Sequence, residues 1–387
     1  MRLLILSIEF PPGPGGLGTL AYQIAWHLAR EGWQVLVSTP QDYAATGDID
    51  RFNADQPFEI LRLKHLEPSA LEGAYRLVKA LQVISHKRPD VLLAVGRQAV
   101  WLGAALSRIS GIPLVAVGGG SEFLARKRLE RAITRWAFGH ARSLVAISRY
   151  TQTLIDAMGI RVSNPTIIPP GADGYMYRPG LPTDHLRRDR LGLGDSKVIL
   201  TVGRVSHRKA QDVVIRALPL ILQECPGVKY LIVGYPERRQ ELELLARSLG
   251  VDKHVIFLGQ VSQEELPYFY NLADVFVLVS RRTAGQVEGF GIVAAEAALC
   301  GIPSVVSRNC GLEEAVVENE TALVVDPDDP EATAQAISRL LKDDGLRTRM
   351  GQAALRYARE NATWEKRMRE YEATLRSVVR RSGQCTC

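Results

Sequence analysis

Residues Arg281 to Glu314 read RRTAGQVEGFGIVAAEAALCGIPSVVSRNCGLEE and follow the apolar run Val275 to Val279. That run is short, rich in β-branched residues and bounded by Ser280, which predicts a buried parallel strand opening into a polar, glycine-bearing loop. Helix chemistry resumes at about Gly291, over Ile292 to Cys300. The first amides of such a helix have no partner within it, so a phosphate can supply one. Gly289 and Gly291 carry no Cβ and let the backbone approach a ligand. Glu288 and Glu296 then form a carboxylate pair suited to gripping two polyols on either side of a diphosphate. The plainer alternative is that both are helix-start carboxylates favoured by the macrodipole.

Around this stretch the residues keep a fixed spacing. Glu288, seven residues and Glu296 precede Ala297, Gly301 and Pro303, and then Gly311 and Glu314. The segment resembles the donor-site signature of retaining glycosyltransferases with the GT-B fold, family 4 of that class. The resemblance implies an α/β architecture of two Rossmann-like lobes, each a parallel sheet flanked by helices, with an interlobe cleft. It also implies that Glu296 meets the donor's ribose, and that Glu288 with the Phe290, Gly291 and Ile292 amides meets the sugar.

Upstream, Val198 to Val202, Gly203-Arg204-Val205-Ser206-His207-Arg208-Lys209 and a helix from about Asp212 read as strand, basic loop and helix. Arg204 and Lys209 match the family's G-R-x(4)-K, whose cations hold the donor diphosphate; Ala210 stands where a glycine is usual. Two fixed cations stabilise charge growing on a leaving diphosphate more in the transition state than in the ground state. Solvation of an ordinary basic surface loop is the plainer reading. Leu231 to Gly234 and Val255 to Leu258 are further strands, and by resemblance Gln260 and Val261 lie by the nucleobase. Beyond Glu314, Thr321 to Val325 reads as a strand. Helices at Ala332 to Leu341 and Leu346 to Asn361 follow, and a final helix from Trp364 returns, by resemblance, to the first lobe.

At 387 residues, 46% apolar and 23% charged, the chain has the composition of a folded protein of two domains. No apolar run approaches the ~20 residues that cross a bilayer, and no signal peptide is evident, which predicts a cytoplasmic protein. The five cysteines, Cys225, Cys300, Cys310, Cys385 and Cys387, form no metal-ligand spacing and read as buried or free thiols, the last two in a frayed tail. A formal charge of +6 favours anionic partners in general.

The N-terminal half opens with the run Leu3 to Ile8, the loop Pro11 to Gly18 and an amphipathic helix from about Thr19 to Glu31. Gly13, Gly15 and Gly18 satisfy G-x-G-x-x-G, so a dinucleotide site is a rival reading. Against it, three prolines lengthen the loop, and the second strand, Val35 to Ser38, ends in Ser38-Thr39-Pro40 without an acid for a ribose. Gly15-Gly16 instead resembles the family's Gly-Gly loop near the donor phosphates. Asp48-Ile49-Asp50 has a cation-binding spacing but is expected in a solvated loop, with no metal.

Strands at Val91 to Val95 and Leu114 to Val117 follow, the second leading into Gly118-Gly119-Gly120-Ser121-Glu122. Gly119 stands where many relatives carry a histidine, which leaves Glu122 as the acceptor-side polar candidate, or as a helix-start carboxylate. Between Leu124 and Ser143, Leu129, Ile133, Trp136 and Ala137 share one helical face while Arg126, Lys127, Arg128, Arg131 and Arg135 crowd the others. This reads either as a core helix with a solvated basic face or as a helix lying on an anionic membrane. Ser148 after Leu144 to Ile147, and Ile167 to Asp173, resemble further family segments, and the polar stretch Tyr177 to Asp195 reads as the linker.

The resulting expectation is a metal-independent, retaining hexosyltransferase with an N-terminal acceptor lobe (1–180), a C-terminal nucleotide-sugar lobe (181–363) and a returning helix with its tail (364–387). Catalysis falls to Glu288, Arg204 and Lys209. Donor contacts fall to Gly15, Gly16, Gly203, Gln260, Val261, Gly289, Phe290, Gly291, Ile292 and Glu296, and acceptor contacts to Gly119 and Glu122. The donor is expected to be a UDP-sugar, with GDP-mannose second, and the acceptor a glycan or lipid-linked glycan. The protein is placed in polysaccharide or glycolipid synthesis, peripheral on the inner face of the plasma membrane, with no nucleic-acid partner. An oxidoreductase and a non-catalytic nucleotide-sugar sensor are the rivals.

Overall fold

The computed structural model of the chain describes residues 1–383 except 14, 41–45, 65–68, 163, 185 and 187–189. Cys385 and Cys387 lie outside the described residues. Contacts group the chain into two compact units, Met1–Pro170 with Glu365–Cys387, and Gly171–Trp364.

In the first unit the order is β1 (Arg2–Ser7), α1 (Gly16–Arg30), β2 (Gln34–Pro40), α2 (Thr46–Ala54), β3 (Glu59–Leu63), α3 (Ser69–Lys87) and β4 (Val91–Val95). Then come α4 (Arg97–Ser110), β5 (Leu114–Gly118), α5 (Arg128–His140), β6 (Ser143–Ala146), α6 (Arg149–Met158) and β7 (Pro165–Ile167). Its seven strands are ordered β3-β2-β1-β4-β5-β6-β7 and every pairing is parallel, with Ile5 beside Val37 on one side and Leu93 on the other. β4 and β5 are buried along their whole length, because helices cover both faces of a parallel sheet and leave no solvated side.

The second unit repeats the plan with β8 (Val198–Val202), α7 (Gln211–Glu224), β9 (Lys229–Val233), α8 (Arg239–Ser248), β10 (Val255–Gly259), α9 (Leu266–Leu272) and β11 (Val275–Leu278). It continues with α10 (Ile292–Leu299), β12 (Ser304–Ser307), β13 (Ala322–Val325), α11 (Pro330–Lys342) and α12 (Asp344–Asn361). Its six parallel strands are ordered β10-β9-β8-β11-β12-β13. The core between sheet and helices is aliphatic, around Ile199, Val214, Leu218, Ile232, Val277 and Ile337, with Tyr230 fully buried among them. The Tyr230 hydroxyl is satisfied by Thr201 Oγ1 at 2.9 Å, which in turn donates to the Val277 carbonyl at 2.6 Å and ties β8 to β11.

The last helix, α13 (Trp364–Gly383), packs on the first unit: Trp33 Nε1 donates to Glu372 at 3.2 Å, and Arg376 lies 5.3 Å from the Trp33 ring.

Three local expectations are corrected. Asp48 and Asp50 lie in helix α2 rather than in a loop; Ile49 between them is buried, and Asp48 pairs with Arg51 at 2.6 Å. Tyr177, expected in a linker, is buried against Tyr270, and Leu186 and Leu193 downstream are buried as well. In α5 the face expected to be apolar throughout is divided. Thr134, Ala137 and Phe138 are buried, whereas Leu129 is 72% exposed and Trp136 46% exposed.

Candidate active site

In the second sheet, chain order reverses between adjacent strands β8 and β11. The connections from β8 run outward to β9 and β10, and those from β11 run the other way to β12 and β13. Ligands of open parallel sheets bind at the carboxyl ends of the strands at such a switch point. The basic loop Gly203–Ala210 follows β8, and Ser280–Gly291 follows β11, so topology alone delivers both loops to this place. They are stitched directly: the Arg281 amide donates to the Arg208 carbonyl at 2.8 Å.

Glu288 is the centre of the cluster. Its Oε2 lies 2.7 Å from Lys209 Nζ, accepts from Ser280 Oγ at 3.2 Å and pairs with Arg208 Nη1. Lys209 and Glu288 are both buried. Burial pushes the Glu288 carboxyl up, but Arg208 and Lys209 more than reverse this and hold it at about 2. Burial lowers the Lys209 ammonium, with Glu288 opposing. A buried carboxylate and a buried cationic side chain are thus held together at 2.7 Å, where fixed charge acts most strongly on a ligand. Gly203 lies against the Lys209 stem, 3.2 Å from Cε to where a Cβ would be.

The turn into α10 is shaped by two close approaches. Gly291 caps the helix at φ 87°, and a Cβ there would stand 2.3 Å from Leu312 Cδ2. A Cβ on Gly311 would stand 1.9 Å from the Gly289 carbonyl oxygen, and the Gly311 amide donates to the Glu288 carbonyl at 2.9 Å. The Glu288–Gly291 loop is therefore pressed onto the short helical turn Gly311–Ala315, with Phe290 buried beneath and Ile292 half-buried. No side chain caps the start of α10, which leaves its first amides to a ligand or water.

Glu296, in the second turn of α10, is half-buried and accepts from the Tyr270 hydroxyl at 2.7 Å. Tyr177 donates to it as well. Burial raises Glu296 to about 7, with the two tyrosines and the Lys209 charge opposing. Lys209 thus acts on both carboxylates of the pair. Cys300, one turn further along, is buried and pushed up to about 12, chiefly by burial.

Other expected donor residues stand apart from this cluster. Arg204 points to Glu237 at 3.3 Å and is partly exposed; its carbonyl accepts from Gln211 at 3.1 Å. Gln260 is exposed and Val261 half-buried just past β10, whose Gly259 carbonyl accepts from Gly234 at the end of β9. Arg208, Ser280, Tyr177 and Tyr270 were missed from sequence. Arg208 adjoins Lys209 and was within reach of a charge argument, while the two tyrosines meet Glu296 only through folding.

In the first unit, Gly15 caps α1 and packs on the Glu9 side chain, and Gly16 is the first residue of that helix. Glu122 is buried at the end of β5, and its Oε1 accepts from the Gly119 amide at 3.1 Å, the geometry of a carboxylate anchoring a turn. A Cβ on Gly119 would stand 2.9 Å from Leu17 Cδ2, so a histidine there needs Leu17 to move. The oxidoreductase reading is not supported: β2 ends at Pro40 with Ser38 and Thr39 buried, and among the described residues it presents no acid for a dinucleotide ribose.

Residues 184–357 match the family described as Glycosyl transferases group 1, and residues 14–173 match Glycosyltransferase Family 4. A Mycolicibacterium smegmatis GDP-mannose-dependent alpha-(1-6)-phosphatidylinositol monomannoside mannosyltransferase is 29% identical, over 94% of this chain and 96% of its own length. A D-inositol 3-phosphate glycosyltransferase of Acidothermus cellulolyticus is 31% identical, over 89% of this chain and 82% of its own. Among solved structures, Anabaena HepE in complex with UDP superposes with a TM-score of 0.82 at 23% identity, covering 97% of this chain and 100% of that one. Sucrose-phosphate synthase of Thermosynechococcus elongatus gives 0.83 at 21%, covering 97% and 98%.

Proposed function

The chain belongs to the GT-B glycosyltransferases of family 4, and from that premise we propose that it moves a mannosyl group from GDP-mannose to an inositol-bearing lipid acceptor with retention of configuration. The observation that carries the donor site is the convergence of Lys209, Arg208 and Ser280 on the single carboxylate Glu288 at the switch point, beside the uncapped start of α10.

In this reading the diphosphate lies between Lys209 and the α10 amides, Glu296 holds the ribose, and Glu288 with the Phe290–Ile292 backbone orients the sugar. Arg204 swings from Glu237 to the diphosphate. The anomeric C–O bond to phosphate breaks as the acceptor oxygen bonds on the same face, and the acceptor proton passes to the departing phosphate. Charge accumulating on that phosphate is stabilised by cations already in place. The reaction needs no metal, and Gly119 with Glu122 belongs to the acceptor side.

GDP-mannose replaces the UDP-sugar preferred from sequence because full-length relatives at 28–29% identity are named for it, whereas the UDP complexes are more distant. An inositol acceptor is common to the names of both groups of relatives. A peripheral position on an anionic bilayer is part of the same reading. It is supported by the exposed Leu129 and Trp136 beside Arg128, Arg131 and Arg135 on α5.

Thermal unfolding with GDP, UDP and ADP tests the donor, since a ligand of the folded state raises its stability. GDP is expected to give the largest shift. Release of GDP from GDP-mannose in the presence of phosphatidylinositol mannoside vesicles tests the transfer. A shift with UDP alone, or no GDP release, overturns the assignment.

A further inference from the structure

Glu296 is held by two tyrosines that arrive from separate parts of the chain. Tyr270 comes from α9, is fully buried, and donates to Glu296 Oε2 at 2.7 Å. Tyr177 comes from the segment that opens the second unit and is 3% exposed. The two rings meet edge to face at 5.6 Å and 82°, and Tyr270 leans on Phe276 of β11 at 5.9 Å. Packing of this kind fixes where the hydroxyls point, and burial makes an unpaired hydroxyl costly.

We propose that Tyr270 and Tyr177 are positioning residues that keep Glu296 an ionised acceptor, with its remaining lone pairs presented to a ribose diol. The proposal rests on the donor-site reading above. Its physical content is a competition at one carboxylate. Burial favours the protonated acid, while the two phenolic donors and the Lys209 charge favour the anion, and the balance falls at about 7. An ionised carboxylate accepts at both oxygens, whereas a protonated one gives up acceptor capacity to its own proton. Ribose capture therefore selects the anion, and the site releases a proton as nucleotide enters.

The groups facing this carboxylate are few. Tyr177 and Tyr270 are pushed well up by burial and by Glu296, so they stay donors across the working range. The Cys300 thiol, raised to about 12, stays neutral. Lys209 is shared with Glu288, which is ionised throughout, and Asp173 acts on Tyr177 from further off.

Isothermal titration of the full chain with GDP and with UDP, in buffers of different ionisation enthalpy, reads the proton directly. For the wild type the expectation is release of about half a proton at pH 7 and affinity rising about tenfold between pH 6 and pH 8. Tyr270→Phe keeps the ring and removes the donor. It is expected to move the midpoint up by about one pH unit and weaken binding at pH 7 about fivefold, with recovery by pH 9. Tyr177→Phe should act in the same direction and carries the test if Tyr270→Phe does not fold. Glu296→Gln should abolish proton release. If the wild type binds and the tyrosine variants keep its pH profile, the positioning role is overturned and the donor site stands. If the wild type binds neither nucleotide, the donor site falls first and this role with it.

Discussion

Lys209 Nζ lies 2.7 Å from Glu288 Oε2 in a pocket where both side chains are buried, so each helps to compensate the other for lost water. Removing one partner of such a pair strands the other. Lys209→Ala is expected to cost about 3 kcal/mol of stability, the low end for a broken buried pair, because Arg208 still faces Glu288. Urea unfolding measures it. Nucleotide-sugar turnover should fall on the order of 10², as for other preorganised electrostatic groups.

The two carboxylates make opposite contributions to stability as pH changes. Glu288 falls from 4.5 to about 2 on folding, so its contribution is fully present above 4.5 and is lost as pH drops towards 2. Glu296 rises from 4.5 to about 7, so the folded state holds its proton more tightly and loses stability as pH climbs from 4.5 through 7. Melting temperature against pH separates them. Glu288→Gln should flatten the acid limb below pH 4.5, and Glu296→Gln should remove the decline between pH 4.5 and 7.

The strands that carry the site were legible because a parallel strand buried on both faces writes its burial into consecutive residues. Val198–Val202 and Val91–Val95 match the apolar runs residue for residue. Edge strands are not so written: Glu59–Leu63 is half-exposed and Pro165–Ile167 is three residues long. Glu288 and Lys209 were legible through the family motifs they match, which lie in the loops after two apolar runs. Tyr270 and Tyr177 were not, because their meeting with Glu296 depends on how α9 and a distant segment pack. Periodicity also groups Leu129, Ile133, Trp136 and Ala137 on one side of α5, but it does not say how far the helix is rotated about its axis. That rotation buries Ala137 and leaves Leu129 and Trp136 in solvent.

Gly311 is the buttress of the Glu288–Gly291 loop, and its replacement tests whether loop position governs binding. The Cβ of Gly311→Ala has only 1.9 Å to the Gly289 carbonyl oxygen, so the backbone must shift. Nucleotide affinity should fall at least tenfold and stability by about 1–3 kcal/mol, the range for overpacking. Gly285→Ala, where a Cβ meets nothing within 4 Å, should stay within about 0.5 kcal/mol of wild type. Titration calorimetry and thermal unfolding of the two variants measure the difference.

The exposed face of α5 makes a prediction about salt. Arg128, Arg131 and Arg135 line one surface depression with Ala132 and Trp136, and the acid on the same helix, Glu130, is engaged by Arg97. The three arginines thus face solvent beside two exposed apolar side chains, the pattern of a helix lying in a membrane interface. Each basic residue near an anionic leaflet contributes about 1 kcal/mol. Arg128→Glu, Arg131→Glu and Arg135→Glu together should therefore weaken binding to phosphatidylinositol-rich vesicles by at least 10². Raising salt should weaken wild-type binding in the same way, because the Debye length shrinks to about 3 Å at 1 M. Trp136→Ala removes the apolar part instead, and should lower binding equally at low and high salt. Cosedimentation reads all of these. Equal binding to neutral and anionic vesicles would remove the role of the three arginines, and binding to neither would leave α5 as a solvated helix with no membrane role.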